Sequence, residues 1–132
     1  MKQFLSSYNA QAYAVMRIIA GFLFLCHGSQ KVLGFPGGMP GNIPPFISYG
    51  AGSIELIGGA LIMIGLLTHW TAFITSGEMA VEYWMAHGTK APLPIQNQGE
   101  LAVLFCFVFL FIATQGGGIW SLDALRKGHP RR

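Results

Sequence analysis

The side chains in this 132-residue chain that could do chemistry are Arg17, His27, Lys31, Glu55, Glu78, Glu82, His87, Asn97 and Glu100. Carboxylates, a lysine and histidines of this kind can pair with one another, pass protons or hydrogen-bond the polar end of a ligand. Their spacing is helical. Arg17, Gly21, Phe24, Gly28 and Lys31 recur at three- and four-residue steps with His27 beside them; Gly52, Glu55 and Gly59 share a second face, and Thr71, Thr75, Glu78 and Glu82 a third. Each stretch thus presents one polar or small wall on an otherwise greasy helix, which predicts a polar seam where the helices meet.

Other chemistries lack their residues. A di-iron carboxylate bundle needs repeated Glu-x-x-His pairs, and no histidine follows Glu78 or Glu82 by three. His27 and His87 could conceivably form a bis-histidine haem pair, but no other residue supports it, so no metal site is expected. Neither a phosphate-binding glycine loop nor a nucleophile elbow is present. Cys26 and Cys106 lie in apolar runs, form no CxxC pair and read as small buried hydrophobes.

The elements that must hold these groups are membrane helices. Hydrophobic residues make up 52% of the chain and charged residues 10%, against about a quarter charged in soluble domains. A soluble surface so poor in charge would not stay dispersed. A span takes about 20 mostly apolar residues, and four candidates emerge, at about 12–33, 46–67, 70–87 and 99–115. Charge at Lys2 before an apolar run faintly suggests a signal peptide. Arg17 beside the run, the lack of a small-x-small cleavage site and three further spans favour a retained first helix.

A Gly/Pro-rich loop, Gly34 to Gly41, ends the first span, and Pro44-Pro45 opens the second. The very short turn Thr68-His69-Trp70-Thr71 makes spans two and three antiparallel neighbours. A second Pro-containing loop runs from Gly88 to Gln98, and the uninterrupted LAVLFCFVFLFIAT of the last span stops at Gly116-Gly117-Gly118. Trp120 suits an interface, and Ser121 can cap a short helix carrying Asp123. Open sheets cannot live in hydrocarbon, and a closed barrel needs many more strands. The expectation is an all-α, antiparallel four-helix bundle in one domain over residues 1–132.

Orientation follows from cations. Lys2, Arg126, Lys127, Arg131 and Arg132 fall on one side, Lys31 and Lys90 on the other. The positive-inside rule then puts both termini in the cytoplasm and both longer loops outside. The formal net charge of +3 serves orientation; no basic stripe with interleaved aromatics points to nucleic acid.

Ionisable groups at membrane depth cost about 2.5–3.5 kcal/mol each on insertion scales, so they should face inward and pair. Helix side chains lean toward their own N-terminus, which favours Arg17 with Glu78 and Glu55 with His27 and Lys31; Arg17 with Glu55 remains open. Such pairs could serve only to fix the helices in one arrangement. Asn97 and Glu100 have capping-box spacing, with Asn97 as N-cap and Glu100 at N3.

Four stretches together resemble DoxX-type membrane proteins: R-x3-G-x5-H-G-x2-K from Arg17 to Lys31; IELIGGALIMIGLLT from Ile54 to Thr68; Asn97-x-x-Glu100; and Gly118-x-x-Ser121-Leu122-Asp123. His87 stands where that family often has a histidine ending its third helix, whereas Glu78 and Glu82 match nothing there. The resemblance implies a four-helix bacterial inner-membrane subunit associated with redox systems, some of them quinone-dependent.

Two classes of function fit. In one, His27, Lys31, Glu55, His87 and Glu100 form a pocket in the outer half of the bundle for a quinone-like or lipid-like head group. Gly28, Gly52 and Gly59 would leave room beside it. In the other, the chain is a non-catalytic scaffold for a partner protein, or a carrier of protons or small solutes. The lipid bilayer is the one partner the composition demands; a second copy of the chain or a protein partner is compatible with the loops. Quinone is the candidate cofactor.

Overall fold

The computed structural model describes residues 3–39 and 41–128. Lys2, Arg131 and Arg132, on which the orientation argument partly rests, lie outside them. Among the described residues every regular element is helical. A short 3₁₀ turn, Ser6–Tyr8, leads into α1 (Asn9–Leu33), which is followed by α2 (Pro45–Ile64), α3 (Thr68–Glu82), α4 (Pro94–Asn97), α5 (Glu100–Gln115) and α6 (Leu122–Arg126). A wider π-type turn, Tyr83–His87, prolongs α3. Two of the helical segments, Ser6–Leu33 and Pro45–Ile64, are long and apolar enough to cross a membrane, and Glu100–Gln115 is a shorter apolar helix.

The boundaries have local causes. α1 stops where Gly34 turns left-handed at φ +66°, and Pro45 sits at the first turn of α2, where its missing N–H costs nothing. α2 ends three residues before the expected limit at 67. Gly65 adopts φ +72°, and the N–H of Leu66 reaches back to the Leu61 carbonyl at 2.9 Å, closing the helix C-terminus. The chain therefore reverses at Gly65–Leu67, and Thr68 to Thr71, expected as the turn, form the first turn of α3.

α1 lies along α2, α3 lies along α5, and α2 joins the two pairs by packing on α3. The α1–α2 contact is backbone on backbone: a Cβ at Gly21 would strike the backbone of Met63, one at Gly28 the backbone of Leu56, and one at Gly59 the backbone of Leu25. The glycines thus seat the two helices and do not, as expected, clear space for a ligand. Small residues serve this way wherever lipid supplies no hydrophobic drive for helix pairing.

Between the pairs sits a core of Phe24, Ile62, Ala72, Met79, Phe105, Phe109 and Ile112. Phe24 meets Phe109 edge-on at 4.7 Å between ring centres, and Phe105 stacks on Phe109 at 5.3 Å. Large apolar side chains such as Phe22, Ile57, Phe73, Val81, Leu104 and Phe107 point outward. This perimeter suits contact with lipid.

Candidate functional site

The polar seam resolves into two separate groups, one at each end of the helices. At the end holding the α2–α3 turn, Arg17 is fully buried. It meets no carboxylate among the described residues. Its Nη1 donates to the Ile62 and Met63 carbonyls, both at 2.8 Å, and its Nη2 to the carbonyls of Trp120 at 2.8 Å and Ile119 at 3.3 Å. The expected pair with Glu78 does not form. The reason is local: the last carbonyls of α2 lack i+4 helical partners, that of Ile62 receiving only the Gly65 N–H at 3.2 Å, and carry the negative end of the helix dipole, so they take the guanidinium.

Asp123 secures the opposite polarity beside it. Its carboxylate accepts from the N–H of Leu67 at 3.0 Å, the N–H of Thr68 at 2.9 Å and the Thr68 hydroxyl at 2.7 Å, while its own N–H donates to the Gly65 carbonyl at 2.9 Å. A residue more than 50 positions away in sequence thus caps the N-terminus of α3. Burial pushes its carboxyl up, but the bonds from Thr68 and Leu67 and the charge of Arg126 outweigh that and hold it below the usual carboxylate range. Ser121 caps α6 as expected, accepting from the N–H of Ala124 at 3.2 Å.

The other end is built differently. Lys31, near the C-terminus of α1, places its ammonium between two carboxylates: Glu55 of α2 at 2.5 Å and Glu82 of α3 at 3.1 Å. The expected partnership of Glu55 with Lys31 is present. Glu82 joins it, a contact the depth estimates missed, although 14 residues of rise along α3 carry Glu82 about 21 Å from Thr68, toward the level of Lys31. Glu78 stands behind this pair. One oxygen from each of Glu55, Glu78 and Glu82 lies within 4.8 Å of the others. Both Glu78 oxygens and the second oxygen of Glu55 are buried without a hydrogen-bond partner. Such oxygens could ligate a hard cation, but the Lys31 ammonium already occupies the cationic position on Glu55 and Glu82.

Beside the trio opens a cavity of about 220 Å³. Its polar lining is His27 and Lys31 of α1, Glu55 of α2, Glu82 of α3, His87 of the π-type turn and Gln98; Phe24, Met79 and Phe105 supply apolar wall. His27 stands edge-on to Phe105. His87 is held by its Nδ1, which lies 3.0 Å from the Asn97 carbonyl. Of the residues expected to converge here, His27, Lys31, Glu55 and His87 do.

Glu100 is exposed and lines no part of the cavity, being the first residue of α5. The expected capping box is replaced by another arrangement. Asn97 ends the short α4; its Oδ1 accepts from Gly99 N–H at 2.9 Å and its amide donates to the Tyr83 hydroxyl and the Ala91 carbonyl, both at 3.0 Å. With Gln98 left-handed at φ +61°, the chain re-enters helix at Glu100, too late for a capping-box reach. Asn97 is therefore a positioning residue: it anchors the segment that carries the His87 contact.

A family model described as DoxX matches residues 12–88. An uncharacterized protein of Haemophilus influenzae is 38% identical over 125 residues, covering 90% of this chain and 93% of its own. A Bacillus subtilis protein whose printed name is "Putative oxidoreductase CatD" is 41% identical over 113 residues, covering 83% and 82%. No solved structure matches the chain.

Proposed function

This chain belongs to the DoxX family of membrane-associated proteins, and from that premise we propose that it is a bacterial inner-membrane redox subunit whose cavity holds the head group of a quinone-like molecule. The observation that carries this reading is the cavity itself. It joins an apolar aromatic wall to histidine, lysine and carboxylate groups contributed by all of α1, α2 and α3. Drug-sized ligands occupy pockets of about 300 Å³ and more. A volume of about 220 Å³ therefore takes a ring-sized head group and leaves an isoprenoid or acyl tail among the outward-facing apolar side chains. The oxidoreductase name of the Bacillus relative agrees with a redox setting.

The reading includes four spans with both termini cytoplasmic. α3 and its π-type extension make 20 residues from Thr68 to His87, about 30 Å of helix. α5 is shorter at 16 residues and reaches the interface with the turn before Trp120. Arg126 ends α6 and Lys127 follows it on the side of the Arg17 cage, and the cavity lies toward the outer face. A phosphatase fused after Arg132 should be inactive and a fluorescent protein there bright; the reverse would invert the assignment of faces.

Binding is tested on purified protein in mild detergent. A short-chain quinone analogue should bind, and binding should fall in Glu55→Gln and His27→Ala variants that elute as folded protein. Binding that is absent, or indifferent to both changes, would favour a scaffold that anchors a partner.

A further inference from the structure

Charge does not balance at the Lys31 end. Glu55, Glu78 and Glu82 bring three carboxylates together, one oxygen of each within 4.8 Å of the others. Against them stands a single ammonium, Lys31, bonded to Glu55 and Glu82. With all four ionised, the cluster would carry two uncompensated negative charges at membrane depth. The charged groups within reach of Glu78 are Glu55 of α2, Glu82 one turn along α3 and Lys31 of α1. α5, which packs along α3, brings only Cys106 and, at its exposed first residue, Glu100. His27 neighbours Lys31 and Glu82 and lines the cavity. Among the described residues no second cation comes to Glu78.

Donors are missing as well as charge. Both oxygens of Glu78 and Oε2 of Glu55 are buried without a hydrogen-bond partner, and Glu55 is 1% exposed. Lys31 keeps a third N–H and Gln98 brings an amide to the cavity, but neither bonds these oxygens. A carboxylate buried without a partner takes up a proton instead of remaining charged. Glu78 can do so without giving up an ion pair, since Lys31 holds the other two. A calcium ion would want about six to eight oxygen ligands, whereas a proton needs one.

We propose that Glu78 is a buried carboxylic acid that stores one proton behind the cavity and exchanges it with the cavity through Glu55 or Glu82. Glu78 lines no part of the cavity, and both neighbours do. A proton leaving Glu78 passes to one of them: the O–H bond on Glu78 breaks as one forms on the neighbour, the negative charge moves to Glu78, and no electrons are exchanged. While Glu78 holds the proton, the one negative charge left over sits on the carboxylates that face the cavity. This site needs no ligand in place, so it stands or falls apart from the head-group reading above.

Infrared spectroscopy on the full chain in mild detergent reads a protonated carboxyl directly, because its C=O stretch stands clear of the carboxylate and amide bands. With five Asp and Glu residues in the chain, the band is assigned with few variants. At neutral pH the parent should show one such band, which shifts on exchange into D2O. Glu78→Gln should abolish it, Glu78→Asp should move it without removing it, and Glu100→Gln should leave it alone. Glu82→Gln, which takes away a neighbouring negative charge, should make the band disappear at lower pH than in the parent. A folded parent without the band overturns the assignment whatever the variants do. A band that survives Glu78→Gln, or stays unmoved in Glu78→Asp, overturns it equally. So does a stoichiometric divalent metal that co-purifies with the parent and is lost in Glu78→Gln, since the cluster would then hold a metal cation in place of the proton.

Discussion

The two ends of the helix bundle use the same kinds of residue to opposite purposes. At the Arg17 end the charged groups answer to backbone: four carbonyls take the guanidinium, and two N–H groups and a hydroxyl take Asp123. At the Lys31 end charge answers to charge, and three buried carboxylate oxygens are left without donors beside a cavity. The first arrangement closes helix ends that would otherwise hold unsatisfied groups, and it leaves one buried donor, Arg17 Nε, without a partner. The second is less complete. An ionisable residue at membrane depth is thus no guide to function until its partners are known, and the unfinished cluster is the end at which we propose a ligand.

The contrast predicts a ranked set of mutational effects. Arg17→Ala should be the most damaging, leaving four carbonyls without their donor, at roughly 1–3 kcal/mol each. Folded yield in detergent should collapse, and adding Glu78→Ala should restore nothing, because the two side chains do not touch. Recovery in the double variant would restore the ion pair that the carbonyl cage replaces.

Lys31→Met should rank second. It strands Glu55, whose side chain is 1% exposed, for about 3 kcal/mol, and Glu55→Gln in the same chain should recover much of it. A thermal-shift series over the two single variants and the double variant measures that coupling directly.

Asp123→Ala should cost about 1 kcal/mol, the usual scale for a lost helix cap. Its pH dependence has a definite sign. The folded carboxyl is held below its ordinary value of 3.8, so its contribution is present above that value and disappears as pH falls through the folded one. The variant should therefore lose the acid limb of the stability profile that the parent shows below about pH 4.

Glu78→Gln should be the mildest. Neither oxygen has a partner to lose, and one carboxyl of a crowded trio can no longer ionise. The melting temperature should hold or rise; a large fall would mean that Glu78 carries a bond of its own and that the two ends are less different than described.

Much of this was legible in the residues. Apolar runs of span length, bounded by Gly/Pro-rich loops, located all four long helices to within a few residues, and the polar faces were found because charge in an apolar run stands out. The Lys31–Glu55 contact followed from side-chain lean and depth. The Arg17 cage did not, because carbonyls have no sequence signature: any helix end supplies them, and a search for partners among side chains finds Glu78 instead. Asp123 as cap of α3 was hidden by its distance from Thr68 along the chain. Glu100 was misplaced by a local motif that Gln98, turning left-handed, displaces. Glycines on the polar faces were expected to leave room for a ligand, and only the structure tells contact with a neighbouring backbone from such room.

Photolabelling asks most directly whether the unfinished end alone receives a ligand. A ring-azido quinone should be cross-linked to the purified protein and the adducts mapped by peptide mass spectrometry, with and without excess unlabelled analogue. Competable adducts should fall within Phe24–Lys31 of α1 and the Met79–Phe105 region, which line the cavity. Competable adducts around Arg17 and Trp120 would contradict the account, as would labelling spread evenly over all four long helices.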